Sequence, residues 1–353
     1  MKACIHLCRL FCYGNMRRIT WILVLITLLS CESAIERRDR FFELGNRALA
    51  NGNYANAIQL FDQSLKEDAN YPMALNNRGV AQMELDHPYE AILDYNRCLS
   101  IESENLDALF NRAFAYEKIG QFDNALEDIA MIEEMKPDSA FVHFYKGLVL
   151  TKARAYAEAY ASFQKSDYLE PYNPETLINM ATIHYFQKEQ PLASKKVAEA
   201  LELEPQNANA FNLLSLIALE ESNYLQALVE VNRALDEVPG EPYFLNNRGY
   251  VYLQMDSLEL AIMDINRSIV LKPDNGWAYR NKGIYQLKTG NPALARNLFE
   301  RALRTGDFID EIYYYIGFAY MMENNLEDAC TQWNEGVKMG EMKSAEMRAQ
   351  KCR

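Results

Sequence analysis

Apolar and small residues recur along this chain with one long period. Stepping by 34 from Ala57 returns Ala91, Ala125, Ala159, Ala193, Ala227, Ala261, Ala295 and Ala329 without a slip. A second column holds small residues: Gly45, Gly79, Ala113, Gly147, Ala181, Ser215, Gly249, Gly283 and Gly317. Four residues before each stands a large one: Phe41, Leu75, Leu109, His143, Leu177, Phe211, Leu245, Tyr279 and Tyr313. Within a period the spacing is helical. Leu245, Gly249 and Tyr252 share one face, and Leu258, Ala261 and Ile265 form a stripe. Two helices of a hairpin approach closely only where side chains are small, so the two small columns mark the contact and the large residues fill the space around it. Pro137, Pro171, Pro205, Pro239 and Pro273 close five consecutive periods, because proline cannot continue a helix interior. Pro72, Pro174 and Pro242 stand where a following helix begins, a position that favours proline. A pair of helices this short cannot bury its apolar face alone, so the units must stack on one another.

The period, the small residue at the eighth position, the alanine at the twentieth and the proline near the thirty-second resemble the tetratricopeptide-repeat family over residues 38–343. The resemblance implies an all-α fold, a right-handed α-solenoid of nine 34-residue helix hairpins starting near residues 38, 72, 106, 140, 174, 208, 242, 276 and 310, with a C-terminal capping helix over 344–353. Repeat one departs from the family by Ala48 where an aromatic is common. Repeat eight lacks the closing proline and carries Pro292 at its inter-helix turn.

Composition narrows the partner class. The net charge of −13 argues against a nucleic-acid backbone as the main partner. An apolar fraction of 49% suffices for a core, and 15 Gly with 11 Pro leave little room for long loops.

The N-terminal segment reads as an address. Met16-Arg17-Arg18 precedes an apolar run from Ile19 to Ser30 that is too short to cross a bilayer, which needs about 20 residues. Leu28-Leu29-Ser30-Cys31 resembles a bacterial lipobox. That implies a signal peptide over 16–30, acylation (palmitate-type) of Cys31 as the mature N-terminus, and a polar tether over 31–37. Residues 1–15 fit the signal poorly and read as an upstream extension before a start at Met16. The alternative is an ordinary secretory signal that happens to contain a cysteine. The lipobox reading places the chain in the bacterial cell envelope, anchored to a membrane, at the outer membrane on its periplasmic or surface face.

No C-x-x-C pair supports a zinc site. The tail resembles the closing unit of secreted bacterial repeat proteins, in which an Ala-Cys, a tryptophan three residues on and a terminal cysteine recur. Here these are Ala329-Cys330, Trp333 and Cys352. The resemblance implies a Cys330–Cys352 disulfide in an oxidising compartment, with two separate thiols as the alternative. Cys98 falls on a small-residue column and reads as a buried thiol.

Catalytic constellations are missing from the sequence. His87 falls in an inter-helix turn, and His143 and His184 occupy columns of large packing residues. No H-E-x-x-H, G-x-S-x-G or glycine-rich phosphate loop occurs. The expectation is a non-enzyme without cofactor or metal.

By the resemblance, the second, fifth, ninth and twelfth positions of each repeat face the concave side. They place Phe42, Phe110, Phe114, Phe141, Phe144, Tyr185, Tyr243, Tyr250, Trp277, Tyr314 and Phe318 there, as anchors for a partner's apolar side chains or as packing between repeats. Asparagine recurs at the sixth position (Asn77, Asn111, Asn179, Asn247 and Asn281), able to pair with an extended peptide or to serve the repeat itself. Arg78, Arg112 and Arg248 follow three of them and either seek acidic partners or neutralise neighbouring carboxylates. A carboxylate-clamping Lys/Asn/Arg set is incomplete, since Asn46 is the lone asparagine at the ninth position and no lysine holds the fifth. The expected function is a protein–protein interaction scaffold or adaptor of the envelope. It would serve either as an assembly factor for a secretion or pilus machine or by delivering cell-wall hydrolases. A self-oligomerising structural component and an enzyme with a site hidden in the groove are the alternatives.

Overall fold

The structure is a computed structural model and describes residues 32–306 and 308–352. The upstream extension, the signal and Cys31 lie outside the described residues. Among the described residues there are nineteen helices and no strand. They form nine hairpins: α1 (Ala34–Ala50) with α2 (Tyr54–Glu67), α3 (Pro72–Glu84) with α4 (Pro88–Ile101), α5 (Leu106–Lys118) with α6 (Phe122–Met135), α7 (Ala140–Lys152) with α8 (Tyr156–Leu169), α9 (Pro174–Phe186) with α10 (Gln190–Leu203), α11 (Ala208–Glu220) with α12 (Tyr224–Glu237), α13 (Pro242–Gln254) with α14 (Leu258–Leu271), α15 (Gly276–Lys288) with α16 (Pro292–Leu303) and α17 (Ile312–Met322) with α18 (Leu326–Lys338). A closing helix, α19 (Met342–Lys351), follows. The chain divides into two compact units, one ending at Ile132 and one beginning at Glu133.

Seven of the nine first helices begin at the residue the period marks. The exceptions have local causes. α1 begins at Ala34, so residues 34–37 belong to a helix and not to the expected tether. Ser33 accepts from Glu36 N–H and Glu36 accepts from Ser33 N–H at 2.6 Å, a reciprocal cap that starts the helix early. Arg37 then reaches Glu67 at 2.6 Å. At the other end, α19 begins at Met342, two residues before the expected capping helix, because Gly340 (φ 85°) turns the chain out of α18. α17 starts two residues late, after a junction that matters below.

The small column has a stereochemical partner sixteen residues on. A Cβ on Gly147 would lie 2.6 Å from Cε1 and 2.7 Å from Cδ1 of Phe163. Gly45, Gly79, Gly283 and Gly317 face Phe61, Tyr95, Phe299 and Trp333 in the same way. Where the column holds a larger residue (Ala113, Ala181, Ser215), the residue sixteen on is aliphatic: Ile129, Val197 or Val231. Glycine therefore goes with a ring and alanine or serine with a branched aliphatic, the complementarity that close packing requires. Gly249 opposite Ile265 is the exception.

Each hairpin turns through one left-handed residue, again at a period of 34: Gly52, Asp86, Gly120, Arg154, Lys188, Ser222, Asp256, Gly290 and Asn324. Only three are glycines, so composition did not reveal the column, and the period alone locates it.

The recurrent arginines are internal. In the first unit Arg78 holds Asp94 through two nitrogens (Nε 2.7 Å) and also reaches Asp62. Arg112 holds Asp128 and Asn96. In the second unit Arg248 holds Asp264 at 2.6 and 2.9 Å and Asn232 at 3.0 Å. Each guanidinium ties its own hairpin's second helix to that of the preceding hairpin through a planar, two-point contact. The alternative of neutralising neighbouring carboxylates is the one realised.

The last hairpin is closed from behind. The N-cap of α17, Glu311, gives no side-chain cap. The free N–H groups of Tyr313 and Tyr314 donate instead to Glu341 at 3.1 and 2.9 Å, and Ser344 Oγ donates to the same carboxylate at 2.6 Å. Burial nevertheless pushes the Glu341 carboxyl above its ordinary range, against those three donors. Cys330 and Cys352 are joined by a disulfide that fixes the end of α19 to α18.

Candidate partner-binding surface

The first helices of each hairpin carry the side chains singled out by sequence, and the structure divides those side chains into groups. In the first unit Phe114 is 53% exposed and Phe110 half-buried. In the second unit Phe144 lies edge-on to Phe163, ring centroids 5.7 Å apart, and so completes hairpin packing. Tyr314 and Phe318 stack at 6.2 Å along one face of α17. Tyr250 and Trp277 lie against the core formed by α13 to α17.

The asparagines bind one another. In the first unit Asn77 donates to Asn46 at 2.8 Å and Asn111 to Asn76 at 3.0 Å. In the second, Asn247 donates to Asn212 at 2.8 Å and Asn281 to Asn246 at 2.9 Å. Asn179 donates to its own helix at Glu175 O. Asn281 is 2% exposed and thus closed to a partner's backbone. The amide ladder belongs to the repeat interface, since a buried amide left unpaired costs about 1–3 kcal/mol.

Two adjoining recesses stay open across repeats five to seven. The larger, about 620 Å³, has Tyr243 and Asn209 on its wall and the carboxylates of Glu175, Glu204, Glu237 and Glu241 around it. The smaller, about 320 Å³, is walled by Ile178, Leu213, Leu216 and Tyr185. Glu175, Asn209 and Asn212 line both. Tyr243 is 41% exposed. Tyr185 donates weakly to Glu220 at 3.4 Å, and burial raises its hydroxyl pKa above the ordinary phenol value. This face offers aliphatic and aromatic surface, amide donors and acceptors, and negative charge.

Sequence reasoning missed Arg280. It is the one cation at the second, fifth, ninth and twelfth positions of the repeats in the second unit among the described residues, and it is 5% exposed. Its guanidinium lies 5.2 Å from the rings of Tyr250 and Tyr315 and 5.4 Å from Trp277. The only signal would have been its fifth position in repeat eight, occupied elsewhere by aromatics, asparagines and an isoleucine. His143 and His184 are packed, while His87 is exposed. His143 Nε2 meets Pro137 O at 2.9 Å, and His184 Nδ1 meets Glu189 at 2.7 Å. Among the described residues no cluster could hold a metal ion, and no helix is long and apolar enough to cross a membrane.

Stacked helical hairpins with an open, chemically mixed face define a repeat scaffold for protein–protein interaction. Models described as "Tetratricopeptide repeat" match residues 42–101, 180–242 and 280–339, residues 107–139, and residues 242–275, the first of them over more than half of the chain. The chain belongs to the tetratricopeptide-repeat family. Protein unc-45 homolog B of Xenopus tropicalis is 28% identical over 98 residues, 27% of this chain and 11% of that protein. Sperm-associated antigen 1 of Rattus norvegicus is 30% identical over 95 residues, 27% of this chain and 10% of that protein. The chain thus spans about a tenth of the length of these relatives. The crystal structure of the APC/C hetero-tetramer Cut9–Hcn1 superposes over 90% of this chain and 76% of that one with a TM-score of 0.57 at 14% identity, a likeness of fold.

Proposed function

We propose that this chain is a lipid-anchored scaffold of the bacterial cell envelope that holds an extended segment of a partner protein against the first helices of repeats five to seven. The observation that carries the reading is the pair of adjoining recesses there, which no described side chain fills. The amide of Asn209, the Nδ2 of Asn212 (its oxygen being held by Asn247) and the exposed ring of Tyr243 can meet a partner's backbone and an apolar side chain. The anchor rests on Leu28-Leu29-Ser30-Cys31, and the disulfide supports an oxidising compartment. A photocrosslinking amino acid at Tyr243 should give discrete adducts in cells, and the same residue at Leu225 on an outer helix should not. Adducts at Leu225 alone refute the concave site. Cys31→Ser should release the chain from the membrane fraction and abolish incorporation of a labelled fatty acid; unchanged labelling removes the anchor. Adducts with secretion or pilus components mark an assembly factor, and adducts with peptidoglycan enzymes mark an adaptor.

Self-association has its own support. Leu225, Val229, Met263 and Val270 on the outer helices are 71%, 51%, 66% and 69% exposed, and exposed apolar surface of this kind marks contact sites. Mass in solution decides: a strictly monomeric chain across the micromolar range excludes this reading.

A further inference from the structure

The period of 34 holds throughout, but the helix boundaries shift at one junction in the second unit. Four residues separate α14 from α15, but eight separate α16 from α17, where the proline column fails. The flanking helices give up these residues, and Phe308 meets Arg154, whose guanidinium lies 3.9 Å from the ring centroid although the two residues are four repeats apart. Ile309, 2% exposed, pins the segment to the core beside Gly276. Glu311 then reaches Arg280 at 3.5 Å and Lys343 at 2.8 Å.

Arg280 is poorly served by this arrangement. Arg78, Arg112 and Arg248 each grip a carboxylate with two nitrogens. Beyond the three rings, Arg280 has among the described residues one hydrogen bond to Asn281 at 3.2 Å and one long ion pair with Glu311, and its Nε has no hydrogen-bond partner there. Glu311 is shared with Lys343 and sits in the left-handed region (φ 59°), an unfavourable place for a residue other than glycine. A carboxylate is present, then, but in a loose and divided fit. Buried guanidinium groups favour planar two-point contact with carboxylate.

We propose that residues 308–311 are a built-in stand-in for the partner, and that an acidic segment bearing an aromatic residue docks on this face by displacing Phe308 from Arg154 and Glu311 from Arg280. The inference rests on the concave face being the recognition surface and names the partner's chemistry at its repeat-eight end. A tethered occupant competes at an effective concentration on the order of millimolar, so the intact chain should bind such a segment weakly. The weak cation–π contact at Arg154, exposed to solvent, lets the Phe308 ring swing away while Ile309 keeps the segment anchored.

The test uses the full chain and a fluorescein-labelled peptide, Gly-Asp-Phe-Ile-Asp-Glu-Ile, read by anisotropy. The Phe308→Ala/Glu311→Gln variant should bind it at least tenfold more tightly than wild type. Adding Arg280→Gln should abolish that gain. Should that buried substitution unfold the chain by circular dichroism, Arg154→Ala in the exposed turn takes its place and should weaken binding about threefold. Equal binding by wild type and the double variant overturns the proposal, as does no binding by a folded double variant, or no effect of Arg154→Ala. These outcomes are independent of Tyr243 crosslinking, so the concave-face reading can stand while the stand-in fails.

Discussion

The pairing of the eighth position with the residue sixteen on can be tested at Gly147 and Phe163. Phe163 is 0% exposed and is hemmed by Phe144 at 5.7 Å. Gly147→Ala adds a methyl 2.6 Å from Cε1 and 2.8 Å from Cζ of that ring. Ordinary carbon contacts begin near 3.5 Å, so the ring must retreat by roughly an ångström. Overpacking of this kind costs about 1–3 kcal/mol, and the better helix propensity of alanine returns about 1 kcal/mol, for a net loss of about 0–2 kcal/mol. Phe163→Val opposite glycine leaves a void and should cost about 2–4 kcal/mol by comparison with other large-to-small core changes. Together the two substitutions recreate the pair found natively one repeat on, Ala181 opposite Val197. The double variant should lose less than the sum of the singles by about 1–3 kcal/mol. Urea denaturation of the four proteins in one buffer gives the coupling. Losses that add within about 0.5 kcal/mol refute the argument, because they would mean that ring and glycine do not share one space.

Glu341→Ala leaves the N–H groups of Tyr313 and Tyr314 without acceptors in a buried setting, which should cost about 2 kcal/mol or more; amide exchange should rise first in α17 and α19. Breaking the Cys330–Cys352 link frees a loop of 22 residues and should cost about 3 kcal/mol by chain entropy, measured as the stability of Cys330→Ser/Cys352→Ser against wild type. Burial raises the Cys98 thiol from 9.0 to about 11, so the folded chain should resist iodoacetamide at pH 8 and react once unfolded. Because the folded state holds that proton more tightly, the group's contribution to stability is complete below pH 9.0 and is lost as pH rises toward 11.

Most of the fold was legible, because a repeat presents each constraint nine times. The alanine column, the small column and the prolines located the hairpins, and seven first helices begin where the period places them. The boundaries that moved did so for local reasons: Ser33 and Glu36 cap α1 early, and Gly340 turns the chain early into α19. The candidate surface was less legible. Periodicity says which side of a helix a residue occupies, but not what fills the space before it. Phe144 and Tyr250 satisfy the same pattern as Tyr243, yet Phe144 is held against Phe163 and Tyr250 against Arg280, whereas Tyr243, with Lys272 5.8 Å from its ring, keeps 41% exposure on the wall of a recess. Nor can a one-dimensional pattern show that Asn281 reaches Asn246 and so is taken.

Repetition also makes departures informative. A residue that keeps its column answers to the neighbouring repeats, as Arg248 does in gripping Asp264 and Asn232. A residue that breaks its column has lost that explanation. Arg280 stands at a position that elsewhere holds aromatics, asparagines and an isoleucine, and the junction after α16 is twice the usual length. One departure lies in repeat eight and the other at its boundary with repeat nine, and they meet at Glu311. Both leave polar groups in a poor fit: among the described residues the guanidinium keeps a nitrogen without a hydrogen bond, and Glu311 adopts a left-handed backbone. Features that weaken the repeat locally and converge on one surface are placed where binding, rather than folding, accounts for them.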